Sequence, residues 1–250
     1  MTGGLTIAGL GPGSSDHITP AVEQAIAVAT DVVGYIRYVA RIAPRDGLVL
    51  HPSDNRVEVD RARHALDMAA AGRRVLVVSS GDPGVFAMAA AVYEVLETDP
   101  TRWQDVDITV LPGITAMLAA AARVGAPLGH DFCVINLSDN LKPWALIEQR
   151  LQLALQADFA MAFYNPRSKS RPEGFEKTLQ ILKSYGEGDR PVIFARAVST
   201  PDERIMIVPL AEAQPDMADM QTVVLVGSSQ TRTLSHKGAV LAYTPRSVKG

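Results

Sequence analysis

Apolar residues in this chain recur with two alternating periods. Leu5-Thr6-Ile7-Ala8, Asp31-Val32-Val33-Gly34-Tyr35, Val75-Leu76-Val77-Val78 and Ile108-Thr109-Val110-Leu111 are short runs rich in β-branched residues, with the length and content of buried strands. Between them the apolar positions recur at helical spacing: from Pro20 to about Thr30, from Val57 to Ala71, after Pro83 towards Leu96, and from Ala116 to Val124. Thr19 before Pro20 is a helix start, a capping hydroxyl followed by the one residue that needs no N–H there, and Gly72 is a helix stop. Strand and helix in alternation predict a parallel sheet covered by helices.

The periodicity lapses over Gly125-Ala126-Pro127-Leu128-Gly129-His130 and resumes with Phe132-Cys133-Val134-Ile135. A helix follows over 145–157, a strand over 159–164, a helix over 173–185, and strands over 191–198, 204–209 and 222–227. The link from Val198 to Arg204 is too short for a helical crossover and reads as a hairpin, which makes this second sheet mixed. The sequence therefore predicts an α/β fold in two domains, 1–128 and 129–250, the N-terminal sheet parallel and the C-terminal sheet mixed.

Composition narrows the class of function. With 47% hydrophobic and 20% charged residues, the 250-residue chain has the core of a globular protein rather than the profile of a disordered segment or coiled coil. A formal charge of −3 with both signs interspersed speaks against a nucleic-acid surface or a polybasic membrane patch. No apolar run reaches the roughly 20 residues of a membrane span, and no basic segment leads into an apolar one at the N-terminus, so a soluble, cytoplasmic protein is expected. Cys133, the only cysteine, excludes an internal disulfide and a cysteine metal site, and between Phe132 and Val134 it reads as a small strand residue.

The chemistry concentrates in three turns that end strands. Gly9-Leu10-Gly11-Pro12-Gly13 departs from the dinucleotide fingerprint G-x-G-x-x-G, since Ser14 stands where the third glycine belongs and the second strand ends without an acid for a ribose. Gly81-Asp82-Pro83-Gly84 places a carboxylate at a strand end; Asp82 reads either as a helix cap or as an acceptor for ligand hydroxyl or ammonium groups. Pro112-Gly113-Ile114-Thr115-Ala116 offers backbone groups and a hydroxyl at a helix start. Parallel strands carry such turns to one edge of the sheet, where α/β proteins bind ligands. No phosphate-loop motif occurs, and none of Ser79, Ser80, Ser228 or Ser229 lies in a nucleophile elbow. His17, His51, His64, His130 and His236 lack zinc-ligand spacing, and no metal is expected.

Taken in order, GLGPGSSDHITPAVEQAI, VVSSGDPGVFAMA and LPGITAMLAAAARVGAPLGHDF resemble the tetrapyrrole methylase family over essentially the whole chain. Within it VVGYIRYV, HPSDNRVEVDRARHALDMAAAG, LSDNLKPW, FYNPRSKSRPEGF and YTPR most resemble the members that methylate precorrin-3B at carbon 17 and contract the ring to precorrin-4. Lys142 and Ser247 depart from that pattern, and neither lies in the three turns.

The resemblance implies S-adenosylmethionine as methyl donor, S-adenosylhomocysteine as product, a homodimer, and a cofactor cleft between the two domains. It places Pro12, Gly81, Asp82, Val85, Thr115 and Ala116 against the cofactor, with Tyr164, Ala197 and Thr222 from the second domain. A polycarboxylate macrocycle calls for cations; Arg167, Lys169 and Arg171 are candidates, as are Arg37 and Arg56. Ring contraction moves protons, and Asp139 in the family-like Leu137-Ser138-Asp139-Asn140 is the candidate acid or base. Alternatives of the same family act at another ring carbon or on cobalt-precorrin-3. A cofactor-binding module without chemistry is the alternative of another class.

Overall fold

The structure, a computed structural model, describes residues 3–54, 57–185 and 188–247. The chain divides into two compact units, Met1–Thr115 and Ala116–Gly250.

The first unit contains β1 (Gly4–Gly9), α1 (Pro20–Val28), β2 (Asp31–Tyr35), α2 (Ile36–Val39), β3 (Val49–Ser53), α3 (Glu58–Ala70), β4 (Arg74–Ser79), α4 (Met88–Thr98) and β5 (Asp107–Leu111). Its strands form one parallel sheet in the order β3-β2-β4-β1-β5. Successive strand side chains point to opposite faces, and both faces are covered. Val75 and Val77 pack with Leu5, Ile7, Leu66 and Val92, whereas Leu76 and Val78 pack with Ala8, Val22, Val32 and Ile42. That double burial is why the strand reads as an unbroken apolar run. The Thr19 hydroxyl accepts the Val22 N–H at 3.4 Å, and Pro20 opens α1 as the start signal predicts.

The second unit contains α5 (Ala116–Val124), β6 (Gly125–Ala126), β7 (Phe132–Asn136), α6 (Trp144–Gln156), β8 (Ala160–Tyr164), α7 (Gly174–Ser184), β9 (Pro191–Arg196), β10 (Arg204–Pro209), β11 (Thr222–Val226), β12 (Arg232–His236) and β13 (Ala239–Tyr243). Its main sheet, β10-β9-β11-β8-β7, is mixed: β7 and β8 are parallel and the other pairs antiparallel. The hairpin expected from the short Val198–Arg204 link is present, with Arg204 opposite Arg196. Phe163, Met161, Val224 and Phe194 meet Leu151, Phe175 and Leu179 in the core, the rings of Phe175 and Phe194 edge to face at 6.0 Å.

A third sheet, β12-β13-β6, was not foreseen. It accounts for the difference in boundary, which the sequence sets at 128/129 and the packing at 115/116. Residues 125–126 are a strand paired with β13, the Thr244 hydroxyl donates to the Pro127 carbonyl at 2.6 Å, and α5 packs against β11 and β13. No helix among the described residues is long and apolar enough to cross a membrane.

Candidate functional site

In the first unit β1 lies between β4 and β5, so the three glycine turns leave neighbouring parallel strands on the same edge. They touch. Gly11 and Gly81 exchange backbone hydrogen bonds, Gly11 N–H to Gly81 O at 3.2 Å and Gly81 N–H to Gly11 O at 2.9 Å. Both adopt positive φ, 67° and 62°, where a side chain would be strained. A Cβ on Gly9 would overlap the Gly81 carbonyl oxygen and stand 2.9 Å from Gly113 Cα; one on Gly113 would overlap that same oxygen. Glycine is required here by contact between turns.

Asp82 joins the second turn to the third. Its Oδ1 accepts the Gly84 N–H at 2.8 Å and its Oδ2 the Gly113 N–H at 3.0 Å. It does not cap α4, whose N-cap is Ala87 and whose first N–H, from Met88, is accepted by the Ser79 hydroxyl at 3.3 Å. Val85 closes the turn through its N–H to the Asp82 carbonyl at 3.3 Å, and Phe86 follows at φ 53° with its ring exposed. Pro12 is half-buried in the first turn and Thr115 is buried at the end of the third. The first unit thus gathers Pro12, Gly81, Asp82, Val85 and Thr115 at one sheet edge.

Arg41, just beyond α2, escaped the sequence reading. Its Nη1 donates to the Gly11 carbonyl at 3.1 Å, and its Nη2 to those of Leu10 and Gly13 at 2.5 and 3.1 Å. Burial pulls its pKa down from the usual guanidinium range, and the neighbouring Tyr38 opposes that. One cation therefore fixes the orientation of three peptide groups in the first turn. Its partners are carbonyls, which leave no trace in residue spacing.

In the second unit Ala116 opens α5, and the Tyr164 hydroxyl at the end of β8 accepts the Met117 N–H at 3.0 Å, satisfying one of the helix's unpaired donors. Ala197 follows β9 at φ 48°; its N–H goes to Gln221 O at 2.9 Å and its carbonyl takes the N–H and hydroxyl of Thr200. Thr222, first in β11, donates its hydroxyl to Asp219 Oδ1 at 2.8 Å, and Arg196 Nε reaches Asp219 Oδ2 at 2.8 Å. Burial pushes the Asp219 carboxyl upward, but Arg196, Thr222 and the Gln221 N–H outweigh it and hold the group below its usual range.

Asp139 lies in the loop after β7, exposed, with its Oδ1 3.9 Å from Arg171 Nε. Arg171 Nη1 also donates to the Leu137 carbonyl at 3.5 Å. Asn136 Oδ1 accepts both Ser138 N–H at 2.9 Å and Asn165 Nδ2 at 3.1 Å, tying the loops that follow β7 and β8. Lys169 is exposed, Arg37 is exposed on α2, and Arg56 lies outside the described residues. Cys133 sits half-buried in β7, and burial raises its thiol pKa, the opposite of what a nucleophile needs. Among the described residues no three His, Cys, Asp or Glu side chains converge on a metal position.

Chemically, the first unit brings three turns into contact at one sheet edge, their backbone held by mutual hydrogen bonds, by one carboxylate and by one guanidinium. That edge, at the carboxyl ends of parallel strands, is where α/β proteins bind ligands. Residues 4–214 match the model of the Tetrapyrrole (Corrin/Porphyrin) Methylases. The chain is 51% identical to the Precorrin-3B C(17)-methyltransferase of Sinorhizobium sp over 251 residues, 100% of this chain and 99% of that one. It is 40% identical to the Cobalt-factor III methyltransferase of Priestia megaterium, with 92% of this chain covering 43% of that one. The crystal structure of the methyltransferase CobJ superposes with a TM-score of 0.93 at 63% identity, covering 97% of this chain and 100% of the other. With the family match extending from β1 into the second unit and these likenesses spanning nearly the full length, the chain belongs to the tetrapyrrole methylase family.

Proposed function

We propose that the protein is an S-adenosylmethionine-dependent methyltransferase of corrin biosynthesis that methylates precorrin-3B at carbon 17 with ring contraction to precorrin-4. The observation that carries this reading is the 51% identity to a protein of that activity over the whole of both chains. S-adenosylmethionine, when bound, supplies the methyl group. The three turns fit such a ligand by their place, since they leave neighbouring parallel strands at one edge of the first sheet, where α/β proteins bind ligands. In this reading Pro12, Gly81, Asp82, Val85, Thr115 and Ala116 hold the cofactor, together with Tyr164, Ala197 and Thr222. These residues orient the donor and keep water from it, which is the protein's main task in a transfer that needs no strong base. Asp139 exchanges the proton that ring contraction requires. The protein works in the cytoplasm, to which its single cysteine is suited, and as a homodimer.

A second reading, a cobalt-containing substrate, is favoured by the likeness to the Priestia megaterium protein. One experiment addresses all of these. S-adenosylhomocysteine is titrated calorimetrically, and the protein is then supplied with S-adenosylmethionine and precorrin-3B or cobalt-precorrin-3. Binding, a product heavier by one methyl group and the contracted-ring absorbance support the proposal, and the substrate consumed decides the metal. Absence of S-adenosylhomocysteine binding would overturn the donor, and binding without turnover would leave only a cofactor-binding module. Asp139→Asn is expected to retain S-adenosylhomocysteine binding while losing the contracted product; normal product removes Asp139 from the mechanism.

A further inference from the structure

We propose that Arg167 is the receptor for a carboxylate side arm of the macrocyclic substrate, an inference that rests on the tetrapyrrole reading above. The loop from β8 to α7 carries three cations, and the structure separates them. Arg171 is committed within the protein, its side chain 14% exposed and engaged with Leu137 O and Asp139. Lys169 is exposed to solvent. Arg167 is half-buried, and its Nε is shut off from solvent with no hydrogen-bond partner. Among the described residues no carboxylate pairs with it and no protein acceptor takes its Nη groups.

The backbone on either side of Arg167 is held in place. Asn165 stands at φ 52°, anchored by its amide to Asn136, and Pro166 is buried. Beyond it Ser168 and Arg171 exchange backbone hydrogen bonds at 3.3 and 3.2 Å, closing a tight turn. A guanidinium partly withdrawn from water without a counter-ion is costly, and a rigid loop that maintains it is preorganised for an anion arriving from outside. With Nε covered, the edge formed by Nη1 and Nη2 is the one left to meet a carboxylate through two parallel hydrogen bonds.

The test uses the full chain and uroporphyrin III, a macrocycle with carboxylate side arms, followed by absorbance and fluorescence titration at low salt. Arg167→Met is expected to weaken binding by about tenfold to a hundredfold, the loss of one charge-assisted contact, with Arg167→Lys intermediate and Arg167→Glu weaker than Arg167→Met. Lys169→Met should change affinity by less than about twofold, as an exposed charge does. Wild-type affinity in Arg167→Met, or an equal loss in Lys169→Met, overturns the assignment, as does failure of the wild-type chain to bind the macrocycle. Retained S-adenosylhomocysteine affinity and unfolding midpoint show that Arg167→Met is folded. If it is not, Arg167→Lys carries the test, and affinity equal to wild type overturns the assignment. Arg167-dependent macrocycle binding without methylation of precorrin-3B would sink the proposed function and leave this receptor standing.

Discussion

A carboxylate that accepts two main-chain N–H groups, as Asp82 does from Gly84 and Gly113, sets the spacing of two turns rather than the start of a helix. Asp82→Asn keeps the shape but turns a donor-bearing amide toward one of those N–H groups. It is expected to cost about 1–3 kcal/mol of stability and to lower S-adenosylhomocysteine affinity in parallel, measured by urea unfolding and calorimetry. Unchanged affinity alongside lowered stability would remove Asp82 from the cofactor site. The acid itself was legible from its place between glycine and proline, but its partner was not. Gly113 is far along the chain, and a backbone N–H carries no residue-type signal. The same holds for Arg41 and its three carbonyls, and for Asn136 with Asn165.

At the other end of the first sheet, β2, β3 and the residue leading into β4 are tied by one buried acid. Asp31 Oδ1 and Oδ2 take Arg73 Nη2 at 2.9 Å and Nε at 2.6 Å, Oδ2 also takes the Thr30 hydroxyl at 2.7 Å, and His51 Nε2 lies 2.9 Å from Oδ1. Burial pushes the Asp31 carboxyl upward, but the bonds from Arg73, Thr30 and His51 prevail and bring it from 3.8 to about 2. A folded-state value below the unfolded one contributes stability that is complete above about pH 4 and lost as pH falls towards 2. The expected contribution is about 2 kcal/mol at neutral pH. Asp31→Asn should therefore be less stable than wild type at pH 7 and should lack this part of the acid-induced decline in urea midpoints measured from pH 5 to 2. A parallel decline in both proteins would refute the assignment. The strand β2 was plain in the sequence because its Val32 and Val33 are buried on both faces. Its neighbour β3 was not, since Val49–Ser53 is an edge strand containing His51 and Pro52. The residues of β12 are all exposed, which removes the alternation that marks a half-buried strand.

Across each unit the layer order was readable wherever double burial or a helix cap imposed it: the parallel first sheet, the mixed second sheet, and α5 over Ala116–Val124 as expected. What escaped was allegiance. The helix α5 follows the parallel series in sequence, yet it packs with strands more than a hundred residues further on, and only a long-range contact reveals this. The three turns were legible because close contact left glycine as the residue that fits. Their contact has a consequence for how the first unit tolerates change. Gly9 and Gly113 are crowded by one and the same atom, the carbonyl oxygen of Gly81. Gly9→Ala and Gly113→Ala should each cost about 1–3 kcal/mol, as overpacking does. Since either substitution must displace that oxygen, the double variant should be less damaged than the sum of the two, a coupling a double-mutant cycle in urea reads directly. Strict additivity would mean that the turns yield independently. Coupling means that the turns drift as a unit in evolution, a first change at one glycine lowering the barrier to a change at the other.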